Sequence, residues 1–185
     1  NSSNQLVLQI TRYKSKWYCA EVYTKESFGY GTYIFEIDAD LQTLNKNIVF
    51  GLFTYDKTME TMFNEIDIEF SKWGVSNNYN TQYVVHNADE QFKRFRFHFS
   101  TNNRVSTHVF QWHPDKIVFC AYNVPMSEIE KHEPYMQYVF PEIDTYHLYP
   151  AYENVHLNLW KYQRMFSFKK QHQVLVNEFR FIPYE

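Results

Sequence analysis

Hydrophobic and polar residues alternate in eleven short runs along the chain, and polar turns separate these runs. Successive side chains of a β-strand point to opposite faces, so a period of two indicates strands with one buried face. Short strands at this spacing predict an antiparallel sandwich of two sheets. The predicted strands cover residues 6–10, 17–23, 31–37, 48–55, 64–70, 82–86, 92–100, 107–112, 117–122, 155–160 and 174–182.

The rest of the pattern predicts little helix and a single domain. No long segment has an apolar stripe with the 3.6-residue period of a helix. One short helix is expected over residues 126–131, with Ser127 as its cap. The proline-rich stretch 125–150 is either the wall or lid of a functional site or an ordered surface crossover. No linker or repeat divides the chain, so residues 1–185 are predicted to form one domain.

Composition excludes several classes of protein. The 185 residues are 44% hydrophobic and 21% charged, which is typical of a globular chain. A net charge of −3 provides no basic face for nucleic acid or an anionic membrane, and no apolar run approaches the roughly 20 residues that span a bilayer. We therefore expect neither nucleic-acid binding nor membrane insertion. Cys19 and Cys120 leave either one disulfide or two buried thiols.

Residues 65–70 place three acidic side chains on one face of a predicted strand. Glu65, Asp67 and Glu69 alternate with apolar residues, so the acids point away from the core that the apolar residues enter. Neighbouring acids on this face lie roughly 6.5 Å apart along the strand, and their charges repel one another. Because this repulsion destabilises the sheet, stability alone rarely accounts for such a row.

Glycoside hydrolysis with retention needs two carboxyl groups about 5–5.5 Å apart, which gives a reason for the row. The α-carbons of Glu65 and Glu69 lie about 13 Å apart on a straight strand, and inward-leaning side chains can approach that separation. Asp67 between them can orient a nucleophile, and its charge would keep a proton donor protonated near neutral pH. Two other interpretations of the acids stay open: protection of an exposed sheet edge and binding of Ca²⁺.

Further motifs make the whole chain resemble glycoside hydrolase family 16, the β-glucanase family that includes lichenases and laminarinases. Residues 65–69, with the sequence Glu-Ile-Asp-Ile-Glu, are similar to the shorter form of that family's acidic signature. Other segments similar to the family follow one another in the family's order. They lie at residues 25–33, 53–55, 110–115, 158–160 and 179–181.

The resemblance implies an all-β, concanavalin A-like jelly-roll sandwich of two curved antiparallel sheets, with a cleft across the concave face. It implies that Glu65 is the nucleophile, Asp67 its helper and Glu69 the acid/base. The substrate-binding positions that it implies are Phe53, Tyr55, Phe63, Gln82, His86, Asn158 and Trp160. No cofactor is expected to be required and no metal is assigned to the site, although the family implies a structural calcium ion away from the cleft.

Two features leave parts of this correspondence open. The aromatic positions Phe53, Tyr55 and Phe63 are equally compatible with a place in the core. Glu36 stands where lichenases tend to carry an arginine that helps to bind glucan, so mixed-linkage glucan is not the expected substrate.

Together these features predict a retaining, endo-acting glycoside hydrolase. Its substrate is predicted to be a β-linked, β-glucan-like polysaccharide or oligosaccharide, which is cleaved through a covalent glycosyl-enzyme intermediate. Two alternatives stay open: a non-catalytic carbohydrate-binding or lectin-like domain of the same fold, and a transglycosylase. We expect a monomer that is secreted, periplasmic or on the cell surface, where polysaccharides are degraded.

Overall fold

The computed structural model describes residues 4–56, 65–86, 92–141, 148–162 and 168–185, and these ranges form two antiparallel sheets. The predicted all-β sandwich of two sheets is therefore confirmed. The described strands are β1 (Leu6–Tyr13), β2 (Lys16–Tyr18), β3 (Ala20–Ser27), β4 (Gly31–Asp38), β5 (Ile48–Tyr55), β6 (Glu65–Phe70), β7 (Thr81–His86), β8 (Phe92–Phe97), β9 (Val105–Trp112), β10 (Lys116–Tyr122), β11 (Met136–Pro141), β12 (Asn154–Lys161) and β13 (His172–Pro183).

The order of the strands places the acidic strand inside one sheet. The seven-stranded sheet has the order β11-β10-β9-β4-β13-β1-β2, and the six-stranded sheet has the order β3-β12-β5-β6-β7-β8. The acidic strand β6 therefore lies between β5 and β7, and it is antiparallel to both. Strands β3 and β8 form the two edges of the six-stranded sheet.

The core lies between the sheets and is rich in aromatic side chains. Tyr33, Phe110, Phe119 and Tyr83 are all fully buried. Tyr33 stacks on Phe110 with ring centroids 4.4 Å apart, and Tyr83 of the six-stranded sheet stacks on Phe119 of the seven-stranded sheet at 4.5 Å. Such aromatic pairs stabilise a core by about 0.5–1.5 kcal/mol each beyond the area that they bury. They fix which face of the six-stranded sheet points outward.

Two more strands are present than the sequence pattern predicted. The predicted run 17–23 divides at Cys19 into β2, which pairs with β1, and β3, which pairs with β12 of the other sheet. Strand β11 lies within the proline-rich stretch and pairs with β10 at the edge of the seven-stranded sheet. The described part of that stretch is therefore a surface crossover on the sheet opposite the acids and not a wall over them.

Helix is limited to two short 3-10 turns, Leu41–Thr43 and Met126–Lys131, in the ranges that the structure covers. The second turn agrees with the predicted short helix, but Ser127 is not its cap: Pro125 holds the N-cap position and no side chain caps the turn. None of the described helices has the length and apolar character that crossing a membrane requires. Both cysteines are free thiols, with Cys19 exposed and Cys120 buried.

Candidate active site

The acids of β6 lie on the face of the six-stranded sheet that is turned away from the core, which we call the open face. Ile66 and Ile68 enter the core and are fully buried. The period of the strand therefore directs Glu65, Asp67 and Glu69 to the open face. Hydrogen-bonded neighbours on both sides hold β6 in this orientation, so the face that the alternation predicted is the face observed.

The middle of the open face is covered and not fully exposed. Asp67 is 5% exposed, and Gln82 and Val84 of β7 are 6% and 3% exposed. All three residues share the face that points away from the core. Side chains on such a face are buried only where neighbouring side chains rise around them. Neighbouring side chains therefore enclose the middle of the acidic row, and Glu65 and Glu69 on either side of Asp67 are partly exposed.

Glu65 and Asp67 form a hydrogen-bonded pair of carboxyl groups. Burial raises the pKa of Glu65 to about 7; the hydrogen bond with Asp67 opposes this rise, and repulsion from Glu69 adds to it. Burial also raises the pKa of Asp67 well above its usual range, and the charges of Glu65 and Glu69 raise it further. Burial therefore favours the protonated form of Asp67, which is the form that can donate a hydrogen bond to the Glu65 carboxylate.

The third acid, Glu69, has a separate set of partners. Gln82 Nε2 donates a hydrogen bond of 2.5 Å to Glu69 Oε2, and Arg96 Nε donates one of 2.8 Å to Gln82 Oε1. Burial raises the pKa of Glu69, whereas Gln82, Arg96 and Arg94 lower it. Burial, and not the charge of Asp67 as the sequence suggested, is therefore the main cause that favours the protonated form of Glu69.

His86 of β7 is a neutral neighbour of the acid pair. It lies opposite Glu65 in the sheet, and its Nε2 is 3.7 Å from Asp67 Oδ2, which is too long for a hydrogen bond. Burial lowers the pKa of His86. The neutral form of the imidazole is therefore favoured beside the buried Asp67 carboxyl group.

One cluster of side chains could hold a metal ion in the parts of the chain that the structure describes. It consists of Glu65, Asp67 and His86, which each offer one ligand atom within 4.8 Å of the others. Calcium takes six to eight oxygen ligands, so two carboxyl groups and an imidazole do not fit it. A structural calcium ion elsewhere in the protein stays a prediction.

Aromatic rings line the open face on the side of β5 and β12. Phe53 and Tyr55 are partly exposed, and both contact the buried His156, with ring centroids 5.1 Å and 5.8 Å away. Tyr23 of β3 stacks on the same imidazole at 5.1 Å. Glu21 Oε1 lies 2.9 Å from His156 Nδ1. We call this side the aromatic flank; its flat rings suit the apolar faces of sugar rings.

Gly51 makes room for Asn158 directly beside the acids. In the sheet, Gly51 lies between Glu69 of β6 and Asn158 of β12. A Cβ atom at position 51 would lie 2.7 Å from Asn158 Oδ1, which is closer than unbonded atoms approach. Asn158 Oδ1 is buried and accepts no hydrogen bond from the described residues. The rest of the side chain is partly exposed on the open face, where its amide group can meet a sugar hydroxyl.

Trp160 continues the site beyond Asn158. Its ring is partly exposed and lies 6.4 Å from the ring of Trp73, at the end of the acidic strand. A cavity of about 400 Å³ opens next to it on the open face. This cavity is lined by Cys19, Ala20, Glu21, Asn158 and Trp160.

A model of the family described as Glycosyl hydrolases family 16 matches residues 1–163. The chain belongs to glycosyl hydrolases family 16. This match confirms the family that the motifs indicated. A comparison with curated proteins finds no match.

Solved β-glucanase structures share the fold of this family 16 chain at low sequence identity. The β-glucanase of Bacillus licheniformis is 19% identical, with a TM-score of 0.67 over 97% of this chain and 78% of that chain. A lichenase derived from a mouse hindgut metagenome is 20% identical, with a TM-score of 0.68 over 97% and 80%. A family 16 endo-glucanase from Bacteroides ovatus is 12% identical, with a TM-score of 0.70 over 98% and 82%. The predicted jelly-roll fold is therefore confirmed.

The predicted site residues lie together on the open face, with two exceptions to the expected correspondence with family 16. Phe63 lies outside the described residues. Glu36, which the resemblance placed at a glucan-binding position, lies on β4 of the opposite sheet. There it accepts hydrogen bonds from the Met126 backbone N–H and the Asn177 side chain. The assignment of Glu36 to the cleft was wrong because β4 pairs with β9 and β13, and not with the acidic strand.

Some residues of the family 16 site were not predicted. Alternation along β12 could have identified His156, and alternation along β8 could have identified Arg94 and Arg96. Gly51 could have been noticed because a glycine inside a strand often marks a close approach of neighbouring backbone. Glu21 and Tyr23 lie on β3, which the sequence pattern did not separate from β2 within the run 17–23. The residues missed are His156, Arg94, Arg96, Gly51, Glu21 and Tyr23.

Proposed function

We propose that this protein is a retaining, endo-acting glycoside hydrolase that cleaves a β-linked, β-glucan-like polysaccharide. The observation that carries the proposal is the arrangement of the three acids of β6. Glu65 and Glu69 share one face of one strand and are partly exposed, and the buried Asp67 lies between them. Two carboxyl groups with different partners can divide the roles of nucleophile and acid.

In the first step, Glu65 attacks the anomeric carbon while Glu69 gives its proton to the glycosidic oxygen. A covalent glycosyl–Glu65 ester forms, and the shortened chain leaves as an alcohol. The hydrogen bond from Asp67 lowers the pKa of Glu65 and so favours the ionised nucleophile. Burial favours the protonated form of Glu69. The mechanism requires Glu65 to be ionised and Glu69 to be protonated before attack.

In the second step, the ionised Glu69 takes a proton from a water molecule, and the water oxygen attacks the anomeric carbon. The ester bond to Glu65 breaks, and Glu69 is protonated again. Gln82 holds Glu69 through both steps with a hydrogen bond of 2.5 Å, so the proton moves to and from a fixed position. Two inversions at the anomeric carbon retain its configuration.

The substrate assignment is supported by the shape and chemistry of the open face. Phe53, Tyr55 and Trp160 present ring surface to one flank of the acids, and the partly exposed Asn158 presents its amide group. The similar structures are a β-glucanase, a lichenase and an endo-glucanase by description, the last bound to the ligand G4G3G-2F-DNP. We also propose that the protein acts as a monomer outside the cytoplasm, where long polysaccharides occur.

The decisive experiment measures new reducing ends in a screen of β-glucans and β-galactans. We expect the protein to release a ladder of intermediate products, as an endo-acting enzyme does, and Glu65→Ala to abolish turnover with the fold retained. Glu130→Ala is the matched control, because Glu130 is an exposed acid on the opposite sheet's crossover. A Glu65→Ala variant with full activity would contradict the assignment of the nucleophile.

The same screen separates the two alternative functions. Binding of a polysaccharide without any product would identify a carbohydrate-binding domain. Products longer than the substrate, formed when an oligosaccharide acceptor is added, would identify a transglycosylase. Configuration at the anomeric carbon, followed by NMR during turnover, tests retention directly.

A further inference from the structure

Strand β8 brings two arginines to the open face on the side opposite the aromatic flank. In the register between β7 and β8, Arg94 lies opposite Val84 and Arg96 lies opposite Gln82. Val84 and Gln82 lie in turn opposite Asp67 and Glu69. Arg94 and Arg96 are therefore only two strands away from the acids, on the same face. We call this side of the acids the basic flank.

The Arg96 side chain is held in place by the site and not by a carboxylate. Its Nε donates to Gln82 Oε1, whose amide nitrogen donates to Glu69. This chain of hydrogen bonds uses one of the five N–H groups of the guanidinium. No carboxylate among the residues that the structure describes lies within ion-pair distance of Arg94 or Arg96. No described residue accepts a hydrogen bond from the other four N–H groups of Arg96.

Both arginines lie on the open face of the edge strand β8, whereas Lys93, Phe95 and Phe97 lie on its other face. Charges on an edge strand discourage its pairing with another sheet, and all three cations contribute to this protection. Edge protection needs charge on the strand, but it does not require two guanidinium groups side by side on the face of the acids. Two like charges on one face repel each other, and burial together with the charge of Arg94 lowers the pKa of Arg96. A bound anion would relieve this repulsion.

We propose that Arg94 and Arg96 bind an anionic substituent, a sulfate ester or a carboxylate, on the sugar unit that occupies the basic flank. The preferred substrate is then an acidic β-linked polysaccharide. This inference rests on the proposed function, because it refines the substrate of the same site. Guanidinium groups bind sulfate and carboxylate with charge-assisted, often bidentate hydrogen bonds, which gives both affinity and orientation.

The arginines also connect the bound anion to the acid/base. Both guanidinium charges lower the pKa of Glu69. An anion that neutralises them removes part of this effect, so Glu69 keeps its proton to a higher pH when the acidic substrate is bound. An acidic substrate is thereby expected to extend activity toward alkaline pH relative to a neutral substrate of the same backbone.

The test measures binding without turnover, by calorimetry on the full chain carrying Glu65→Gln. The probes are two matched pairs: sulfated β-galactan oligosaccharides with their desulfated forms, and β-glucan oligosaccharides carrying 6-carboxyl groups with their unoxidised forms. The two pairs distinguish sulfate from carboxylate as the preferred anion. The variants Arg94→Gln and Arg96→Gln are compared with Arg180→Gln, which removes an exposed arginine on the other sheet.

We expect at least one acidic probe to bind about tenfold more tightly than its neutral partner. Arg94→Gln and Arg96→Gln should each remove most of this preference, Arg180→Gln should keep it, and added salt should reduce it. Equal affinity within both pairs, including no binding of any probe, would overturn the inference. So would a preference for charge that survives both arginine substitutions. Circular dichroism of each variant checks that the fold is intact.

This result is independent of the proposed hydrolysis. If an acidic probe binds preferentially and the unmodified protein releases no reducing ends, anion binding by the basic flank is supported and the proposed hydrolysis is contradicted. Cleavage of a neutral glucan with no preference for charge would keep the hydrolase and reject the basic flank.

Discussion

At the scale of single residues, Asp67 decides how the acidic row is charged. It is the most buried of the three acids, and burial raises its pKa, to which the charges of Glu65 and Glu69 add. A protonated Asp67 donates a hydrogen bond that an ionised Asp67 could not. The row of acids is therefore tolerated because it is not fully charged.

Two substitutions of Asp67 separate the hydrogen bond from the carboxyl group. Glu65 must be ionised to act as a nucleophile, so kcat/KM should fall as pH drops through its pKa of about 7. Asp67→Ala removes the donor, and we expect the acid limb of the pH profile to move to higher pH with at least roughly tenfold lower kcat/KM. Asp67→Asn keeps a donor, and its acid limb should stay near that of the unmodified protein. An unshifted Asp67→Ala profile would contradict the role of this hydrogen bond.

Gly51 should be sensitive to the smallest substitution. In Gly51→Ala the new methyl group meets Asn158 Oδ1, so we expect a loss of about 1–3 kcal/mol in the free energy of unfolding and a raised KM. Combining it with Asn158→Ala removes the clash, and unfolding of the double variant should return toward that of Asn158→Ala alone. Urea unfolding and kinetics measure both effects. A Gly51→Ala variant that is as stable as the unmodified protein would contradict this prediction, because it would mean that the neighbouring strand moves away at little cost in free energy.

At the scale of elements, alternation predicted the orientation of the strands better than their partners. Alternation places Ile66 in the core and Glu65 on the open face, and it also places Gln82 and His86 of β7 on the open face. Which strands lie side by side depends on contacts between distant segments, and this is why Glu36 was misplaced. Strand β11 was not predicted because the four prolines in the stretch 125–150 indicated a loop. Pro141 is compatible with β11 because this strand lies at the edge of its sheet.

The division of the run 17–23 shows the same limitation. A chain that changes sheets at Cys19 keeps its alternation on both sides, so hydrophobicity alone does not mark the change. Glu21 and Tyr23 consequently joined the site only when β3 was seen beside β12. The row of acids on one face of β6 could be predicted from local spacing, whereas the aromatic flank and the basic flank depend on the order of strands.

The link between the edge strand β3 and its neighbour is open to test. Glu21 Oε1 lies 2.9 Å from the buried His156 imidazole, and Tyr23 stacks on that ring. Glu21→Ala removes a partner of a buried polar group, so we expect a loss of about 1 kcal/mol in stability and faster amide exchange in β3. Glu26→Ala, at an exposed position of the same strand, is the control. Equal exchange rates in the two variants would argue against the link.

At the scale of the whole molecule, the active site opposes stability. Burial raises the pKa values of Glu65, Asp67 and Glu69 in the folded protein. A carboxyl group with a raised pKa in the folded state stabilises the fold fully below its unfolded pKa and loses that contribution as pH rises through its folded pKa. The acids are retained in spite of this cost, as expected of groups that serve chemistry.

Stability should therefore decrease with pH over a defined range. For Glu65 the range runs from its ordinary pKa of 4.5 to about 7, and we expect the free energy of unfolding to fall by about 1–3 kcal/mol across it. Glu65→Gln should flatten this decrease and be more stable than the unmodified protein at pH 8. Glu130→Gln, at an exposed position, should leave the decrease unchanged. Thermal unfolding between pH 4 and pH 8 gives the measurement, and a stability that rises with pH over this interval would contradict it.

All three acids are carried by the six residues of β6, and the sheet holds that strand by hydrogen bonds along both of its sides. Their relative positions are thus set by a single stretch of backbone and need no hinge to assemble them. Heating should consequently abolish catalysis and melt the sheet in one event. Curves of residual activity and of tertiary structure against temperature should superimpose, without a folded but inert intermediate between them.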